Sequence, residues 1–406
     1  MTMQSAGRGR RIGLALPVLA AALGAACGGA ASGRHFPPAG EWASRPAAEL
    51  GLDQAKLDAA IQFSIANQNQ NTRDLAEDVV NTFRNEAPYN ALIGPTQART
   101  GMNGVVIRNG YVAASWGDTE RADMTFSVTK TFLSTVVGLA HADGLIEDLN
   151  RPVAGDMPPG VDLFQSEHNR TITWDHLLRQ TSDWSGTLWD KPDWADRPPR
   201  DRTPDQWPNR ELHEPGTFYK YNDTRVNVLA LAALHVLKEP LPAVLKREIM
   251  DPIGASDSWH WEGYENSWIT IDGGRVQSVT GGGHWGGGMF INALDMARFG
   301  YLFLNNGRWN GGELVTEDWI RMARTPGPAN RTYGFMNWFL NTPSTGPDGE
   351  PRRPLPSAPV TAVTFRGNGQ NVIYIDWEND LVVVVRWLAG GRALDEFIGL
   401  VINAVN

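Results

Sequence analysis

From Asp53 onward, apolar residues recur at helical spacing (Leu57, Ala60, Ile61, Phe63, Ile65), which predicts an amphipathic helix with Asp53 near its N-cap. Residues 104–113 read instead as a strand, an Asn109-Gly110 turn and a second strand. An Asn-Gly pair accepts the positive φ that both central positions of a tight hairpin demand. Residues 127–142 are apolar on most faces and close on Asp143-Gly144; a helix hydrophobic nearly all round belongs in a core. The texture then changes over residues 151–271, where prolines, tryptophans and short helical patches (174–178, 226–237, 241–250) dominate. No alternating strand pattern of useful length is visible there. Residues 295–305 return to helix, and residues 362–388 hold two or three strands. Two runs, Val372-Ile373-Tyr374-Ile375 and Leu381-Val382-Val383-Val384-Val385, flank the acidic turn Trp377-Glu378-Asn379-Asp380. A last helix over 393–405 sets Leu394, Phe397, Ile398, Val401 and Ile402 on one face.

An early hairpin and late strands around a helical stretch imply a mixed α/β (α+β) fold. One antiparallel sheet, closed by both chain ends and flanked by helices, would carry an inserted all-helical region. The catalytic-size unit would span residues 46–406, with residues 46–150 and 272–406 as its α/β part and 151–271 as its helical part. The N-terminus has a different character. Arg8, Arg10 and Arg11 precede an apolar run from Ile12 to Ala26, too short to span a bilayer comfortably, with the basic flank of a secretory signal. The run ends Leu23-Gly24-Ala25-Ala26-Cys27 and resembles a bacterial lipoprotein signal, with Leu23 one position further from the cysteine than usual. The expectation is an exported chain: residues 1–27 are the signal, Cys27 the lipidation site, and residues 28–45, rich in Gly, Ala, Ser and Pro, a tether.

Charge and composition narrow the partners. Asp plus Glu (45) outnumber Lys plus Arg (36) and the net charge is −9, so nucleic acid and anionic membrane surfaces are poor partners. Contact with a membrane is expected only through the N-terminal lipid anchor. A single cysteine rules out a disulfide framework, and the eight histidines never fall at HxH or HExxH spacing, which disfavours a zinc enzyme.

Chemistry concentrates at Ser127-Val128-Thr129-Lys130, at the start of the apolar helix. Residues three apart share a helix face, so a lysine amine can meet the serine hydroxyl. Burial lowers a lysine pKa enough to make it a proton acceptor, and the helix N-terminus favours a developing alkoxide. The bland reading is a capped helix whose lysine extends to water.

Further segments weigh against that reading. Glu214-Pro215-Gly216-Thr217-Phe218-Tyr219-Lys220-Tyr221-Asn222-Asp223 follows, its Tyr221 lying 94 residues after Ser127. Ile172-Thr173-Trp174-Asp175-His176-Leu177-Leu178-Arg179-Gln180-Thr181-Ser182 and Gly286-Gly287-Gly288-Met289 stand around it. Together these resemble the serine β-lactamase-related hydrolases, a superfamily of class C β-lactamases, DD-peptidases, esterases and 6-aminohexanoate-dimer hydrolases. The resemblance covers most of residues 45–390. It implies Ser127 as nucleophile, Lys130 as its proton partner and Tyr221 as the tyrosine of a Tyr-x-Asn motif. No metal or cofactor is implied.

Two departures stand out. Asp223 replaces the usual asparagine; an ionised aspartate can accept but not donate a hydrogen bond, and it favours a charged Lys130. The late Lys-Thr-Gly or His-x-Gly motif is missing. Phe365-Arg366-Gly367-Asn368 is its counterpart, keeping Gly367 but losing the cation, with Arg366 the nearest remaining one. Since that cation meets the carboxylate of β-lactams, β-lactams are not the expected substrate.

Other segments carry less. Ser182-Asp183-Trp184 imitates a class A Ser-Asp-Asn motif in the setting of a helix-end turn. Gly281 to Gly288 lacks the lysine of a P-loop and reads as a flexible turn beside the cleft, with His284 at its rim or in packing. Trp184, Trp189 and Trp194 are placed over the site, and no Gly-x-Ser-x-Gly is present. The expected protein is an exported serine hydrolase acting on a small ester or amide through an acyl-enzyme on Ser127. Backbone N–H groups of Ser127 and Asn368 would hold the oxyanion. The alternatives are a true β-lactamase or DD-peptidase, and a non-catalytic cell-envelope binding protein on the same scaffold.

Overall fold

In the computed structural model, residues 34–199 and 206–406 are described; the signal segment, Cys27 and the first part of the expected tether lie outside them. Strands β1 (Asn103–Arg108) and β2 (Tyr111–Trp116) form the expected hairpin, with φ +52° at Asn109 and +79° at Gly110. β3 (Asp123–Met124) leads into the turn that carries Ser127, β4 (His260–Ile271) closes the insertion, and β5 (Gly274–Val279) and β6 (Gly288–Ile291) follow it. The last strands are β7 (Phe339–Leu340), β8 (Val363–Gly367), β9 (Asn371–Asp376) and β10 (Leu381–Arg386).

A six-stranded antiparallel sheet runs β7-β8-β9-β10-β1-β2, so chain-terminal strands lie beside the early hairpin, as the pattern required. The late strand runs are continuously apolar because the sheet is covered on both faces. On one side Val106, Val372, Tyr374, Val383 and Val385 meet helices α1 (Gln54–Ala66) and α5 (Ala393–Asn403). On the other, Val105, Ile107, Ile373, Ile375, Val382 and Val384 meet the interior of the molecule. Helix α4 (Ala293–Leu304) crosses that inner face, and Gly300 lets it come close: a Cβ there would lie 2.7 Å from Ile373 Cγ2. Each fully buried valine or isoleucine on these faces contributes about 1.5–3 kcal/mol. Asp53 caps α1 as expected, accepting from the Lys56 amide at 3.1 Å.

Helix α2 (Thr129–Ala142) and helix α3 (Asp223–Leu237) pack together in the interior. The antiparallel sheet flanked by helices thus holds, but the insertion is not all helix. His260–Ile271 is a 12-residue strand in a second, four-stranded sheet, β3-β6-β4-β5. Its alternation is broken by an irregularity in pairing with β5 between Gly263 and Trp268, which is why no period of two is legible there. Residues 35–45, expected to be part of a tether, are docked: Trp42 Nε1 donates to the Gly110 carbonyl at 2.8 Å, and Arg298 donates to the carbonyls of Pro38 and Glu41. Among the described residues no single helix is long and apolar enough to cross a membrane.

Candidate active site

Ser127 sits in a short 3-10 turn, Phe126–Val128, that runs directly into α2. The preceding Phe126 has φ +52°, a conformation that costs a bulky residue of order 1–3 kcal/mol and so must be imposed by its surroundings. They are visible: the Thr125 amide donates to the Met289 carbonyl at 2.9 Å, and Thr129 Oγ1 donates to the Phe126 carbonyl at 2.6 Å while accepting from the Met289 amide. Strand β6 therefore clamps both sides of the turn.

Lys130, the second residue of α2, is buried, and its Nζ has three partners. It donates to Ser127 Oγ at 2.8 Å and to the Gly281 carbonyl at 3.1 Å, and pairs with Asp223 Oδ1 at 2.8 Å. Burial pulls the Lys130 pKa down, and the Asp223 charge restores only part of that loss. The snorkelling alternative is thereby overturned: the amine faces inward.

Tyr221 is buried beside this pair, its ring centroid 5.0 Å from Lys130 Nζ and 4.0 Å from the Trp338 ring. Its hydroxyl has no partner at good hydrogen-bond geometry, and Ser127 is the polar side chain it meets. Burial, then the Asp223 charge, pushes the phenol well above the ordinary tyrosine range, against the smaller pull of Arg197 and Ser127.

Asp223 opens helix α3, where Asn222 caps the first turn by accepting from the Arg225 amide. Its Oδ2 takes Arg197 Nη1 at 3.0 Å and His284 Nδ1 at 2.8 Å, and its amide donates to Asp196. Burial alone would raise its pKa, but Arg197, Lys130 and His284 together hold it well below the usual carboxylate range. A helix N-terminus is also a favourable place for the charge.

The third motif region reaches the same place from the sheet. A Cβ on Gly367 would lie 2.0 Å from the Thr125 carbonyl oxygen and 3.0 Å from the Ser127 nitrogen, so the end of β8 passes directly against the Phe126–Val128 turn. Asn371 Nδ2 holds the Asn368 carbonyl at 2.6 Å, fixing the turn that follows. Phe365, however, points into the core against Phe299 and Phe303, and Arg366 is bonded to Gln370 and lies over the Phe339 ring. Neither side chain takes the place of the absent cation.

The family model named Beta-lactamase matches residues 83–389, which include all of these groups. The chain belongs to the β-lactamase family of serine hydrolases. A candidate β-lactamase from Bacteroides dorei superposes with a TM-score of 0.53 at 14% identity, over 80% of this chain and 98% of its own. A candidate 6-aminohexanoate-dimer hydrolase from Bacillus anthracis gives a TM-score of 0.50 at 17% identity, over 74% and 78%. EstCE1, a hydrolase with promiscuous acyltransferase activity, gives 0.51 at 14% identity, over 86% and 98%. At these identities the likeness is one of fold.

Several residues had no sequence signal that set them apart. His284, expected at the rim or in packing, is buried, and its Nε2 is 2.6 Å from Glu86 Oε2. Gly281 to Gly288, expected as a flexible turn, is buried throughout and packed on the site. A Cβ on Gly282, at φ +71°, would strike the Phe126 carbonyl oxygen at 2.1 Å. Of the three tryptophans expected over the site, Trp184 is core, donating to the Leu163 carbonyl, and Trp189 packs against that core. Trp194 lines a cavity of about 350 Å³ with Arg197, Trp207, Phe218 and Lys220. Trp338, not anticipated, is the one packed against Tyr221, its ring tilted by 52°. Asp183 of the Ser182-Asp183-Trp184 segment is bound by Arg210 and Arg225, which makes it a structural anchor.

Glu86, Asp196 and His284 bring potential metal-ligand atoms within 4.8 Å of one another. Two of those atoms are hydrogen-bonded to each other at 2.6 Å, and Arg197 pairs with Asp196. The cluster is an internally paired ion network, not an open cation cage. A larger cavity of about 540 Å³, lined by Arg321, Arg324, Leu340 and Val363, contains none of these groups.

Proposed function

We propose that this chain is an exported serine hydrolase that cleaves a small ester or amide through an acyl-enzyme on Ser127. The observation that carries the reading is the buried Lys130 amine, 2.8 Å from Ser127 Oγ and with its pKa lowered by burial. Neutral Lys130 takes the hydroxyl proton as Ser127 attacks the carbonyl. Tyr221, kept as a phenol by its raised pKa, passes a proton to the leaving alcohol or amine and is resupplied through Lys130. The oxyanion is held by the Ser127 N–H, at the positive end of α2, and by the backbone at Gly367 and Asn368. Water then attacks the acyl-enzyme by the reverse proton path.

The substrate class follows from what surrounds this centre. Asp223, a carboxylate paired with Lys130, Arg197 and His284, offers no donor to an amide side chain, and neither Phe365 nor Arg366 replaces the cation missing from β8. Both features favour simple esters and short linear amides over β-lactams. The basic flank, apolar run and Cys27 favour export and lipid anchoring. The test is one purified sample assayed with p-nitrophenyl esters, short linear amides and nitrocefin. The reading expects the best ester or amide to exceed nitrocefin in kcat/KM by at least about 10-fold, the order of one lost hydrogen bond to a charged group. Nitrocefin turnover equal to the best ester would replace it with the β-lactamase reading.

A further inference from the structure

Behind the reacting pair runs an unbroken line of contacts. Glu86 Oε2 meets His284 Nε2 at 2.6 Å, and His284 Nδ1 meets Asp223 Oδ2 at 2.8 Å. Asp223 Oδ1 meets Lys130 Nζ at 2.8 Å, which meets Ser127 Oγ at 2.8 Å. Every side chain from Glu86 to Lys130 in that line is buried.

A neutral imidazole has one N–H and one lone pair. Facing a carboxylate oxygen with each nitrogen, His284 can satisfy both contacts only as an imidazolium, and the shift of its pKa agrees: burial opposes the charge, but the bonds to Asp223 and Glu86 outweigh it and raise the pKa. We propose that His284, held by Glu86, is a positioning residue that counters the Asp223 charge from behind and so leaves Lys130 free to be neutral. This rests on the reading of Ser127 and Lys130 as the reacting pair. An aspartate at position 223 would otherwise hold the proton on Lys130 and silence the base.

The surroundings fix the sign. Lys130 is faced by Asp223, Tyr221, Arg197 and Asp196. His284 is faced by Glu86, Asp223, Asp196 and Arg197, stacks on the Phe83 ring and meets the Trp285 ring at a tilt. Lys191 acts on Glu86, and Tyr264 lies near Asp223 and Asp196. The cluster therefore holds three carboxylates, Glu86, Asp196 and Asp223, against Arg197 and His284 besides Lys130, with Lys191 acting on Glu86. Arg197 is shared between Asp196 and Asp223. Deleting the imidazolium leaves Asp223 with Arg197 and Lys130 alone, so the Lys130 proton is held more tightly.

The test is the pH dependence of kcat/KM with a p-nitrophenyl ester, whose ascending limb reports the free-enzyme base. His284→Gln should move that limb to higher pH by about one unit or more, and Glu86→Gln should move it the same way by less. In an Asp223→Asn background, where there is no charge to counter, His284→Gln should no longer shift it. A uniform loss of rate with the limb unmoved, or a shift that persists without Asp223, would overturn the proposal. A second readout needs no turnover. In 15N-histidine-labelled full chain, His284 should carry protons on both ring nitrogens at pH 7, and in 13C-lysine-labelled chain the Lys130 titration should move up on His284→Gln. A neutral His284 at pH 7 overturns the clamp even if the enzyme reading stands. Absence of turnover with a doubly protonated His284 overturns the enzyme reading instead.

Discussion

Lys130 and Asp223 form a buried ion pair, Nζ to Oδ1 2.8 Å, at the adjoining N-termini of two core helices, and the lysine simultaneously holds Ser127. The pair sets a conflict that governs the site. Asp223 stabilises the Lys130 ammonium, whereas the proposed chemistry needs the free amine.

Replacing Asp223 by asparagine should relieve that conflict at a cost in stability. Loss of the anion lowers the Lys130 pKa further, so the ascending limb of kcat/KM should move to lower pH. Arg197 and His284 lose their shared partner, and breaking a buried pair in this way costs about 3–5 kcal/mol. Urea denaturation of Asp223→Asn should show a loss on that scale; an unchanged midpoint would mean that the network relaxes around the change.

Tyr221 is assigned the proton to the leaving group. Tyr221→Phe keeps the ring against Trp338 and removes only the hydroxyl, so the fold should persist while kcat falls by at least about 100-fold. Near-normal turnover in single-turnover kinetics would leave a Ser127–Lys130 dyad acting alone.

The raised pKa of His284 makes a separate claim about stability. An unfolded histidine titrates near about 6.5. A group whose folded pKa lies above that contributes stability that is complete below about pH 6.5 and is lost as pH rises through the folded value. Lys130, with its pKa lowered, works in the opposite direction, so the useful quantity is the difference between wild type and His284→Gln. Denaturation midpoints taken from pH 5.5 to 9 should show that difference shrinking toward alkaline pH. A difference independent of pH would contradict the assignment of charge to His284.

Gly282 tests whether the glycine run is packed. At φ +71°, with a Cβ 2.1 Å from the Phe126 carbonyl oxygen and 2.5 Å from Thr129 Oγ1, Gly282→Ala pushes on the turn that presents Ser127. Overpacking of this kind costs about 1–3 kcal/mol, and kcat should fall with it. Gly273→Ala is the control: it also has positive φ, +82°, but open space around it, so about 1–2 kcal/mol of backbone strain is expected with kcat unchanged. Equal effects on kcat would make the run a generic turn.

What could be read in the sequence was what repeats locally. Ser127 and Lys130 share a helix turn, Asn109-Gly110 marks its own hairpin, and the doubly covered strands β9 and β10 announce themselves as unbroken apolar runs. Contacts made at long range were not legible. Glu86 and His284 are 198 residues apart, and Asp196 and Arg197 sit in a segment without periodicity. The chemical hint was Asp223 itself, because a buried aspartate where an amide is usual requires extra cations, and the glycine run carries one histidine, His284. Alternation along β8 turns Phe365 into the core and leaves Arg366 on Gln370 and the Phe339 ring, orientations that the residue types alone did not give.

The central claim is that Ser127 is the nucleophile and that buried Lys130 activates it. Intact-protein mass spectrometry after treatment with a fluorophosphonate, followed by peptide mapping, tests it most directly. Wild type should gain one phosphonyl group on Ser127, Ser127→Ala should gain none, and Lys130→Ala should label at least about 100-fold more slowly, the scale of losing a general base. Labelling of folded wild type at another serine, or at Ser127 with undiminished rate in Lys130→Ala, would contradict the account.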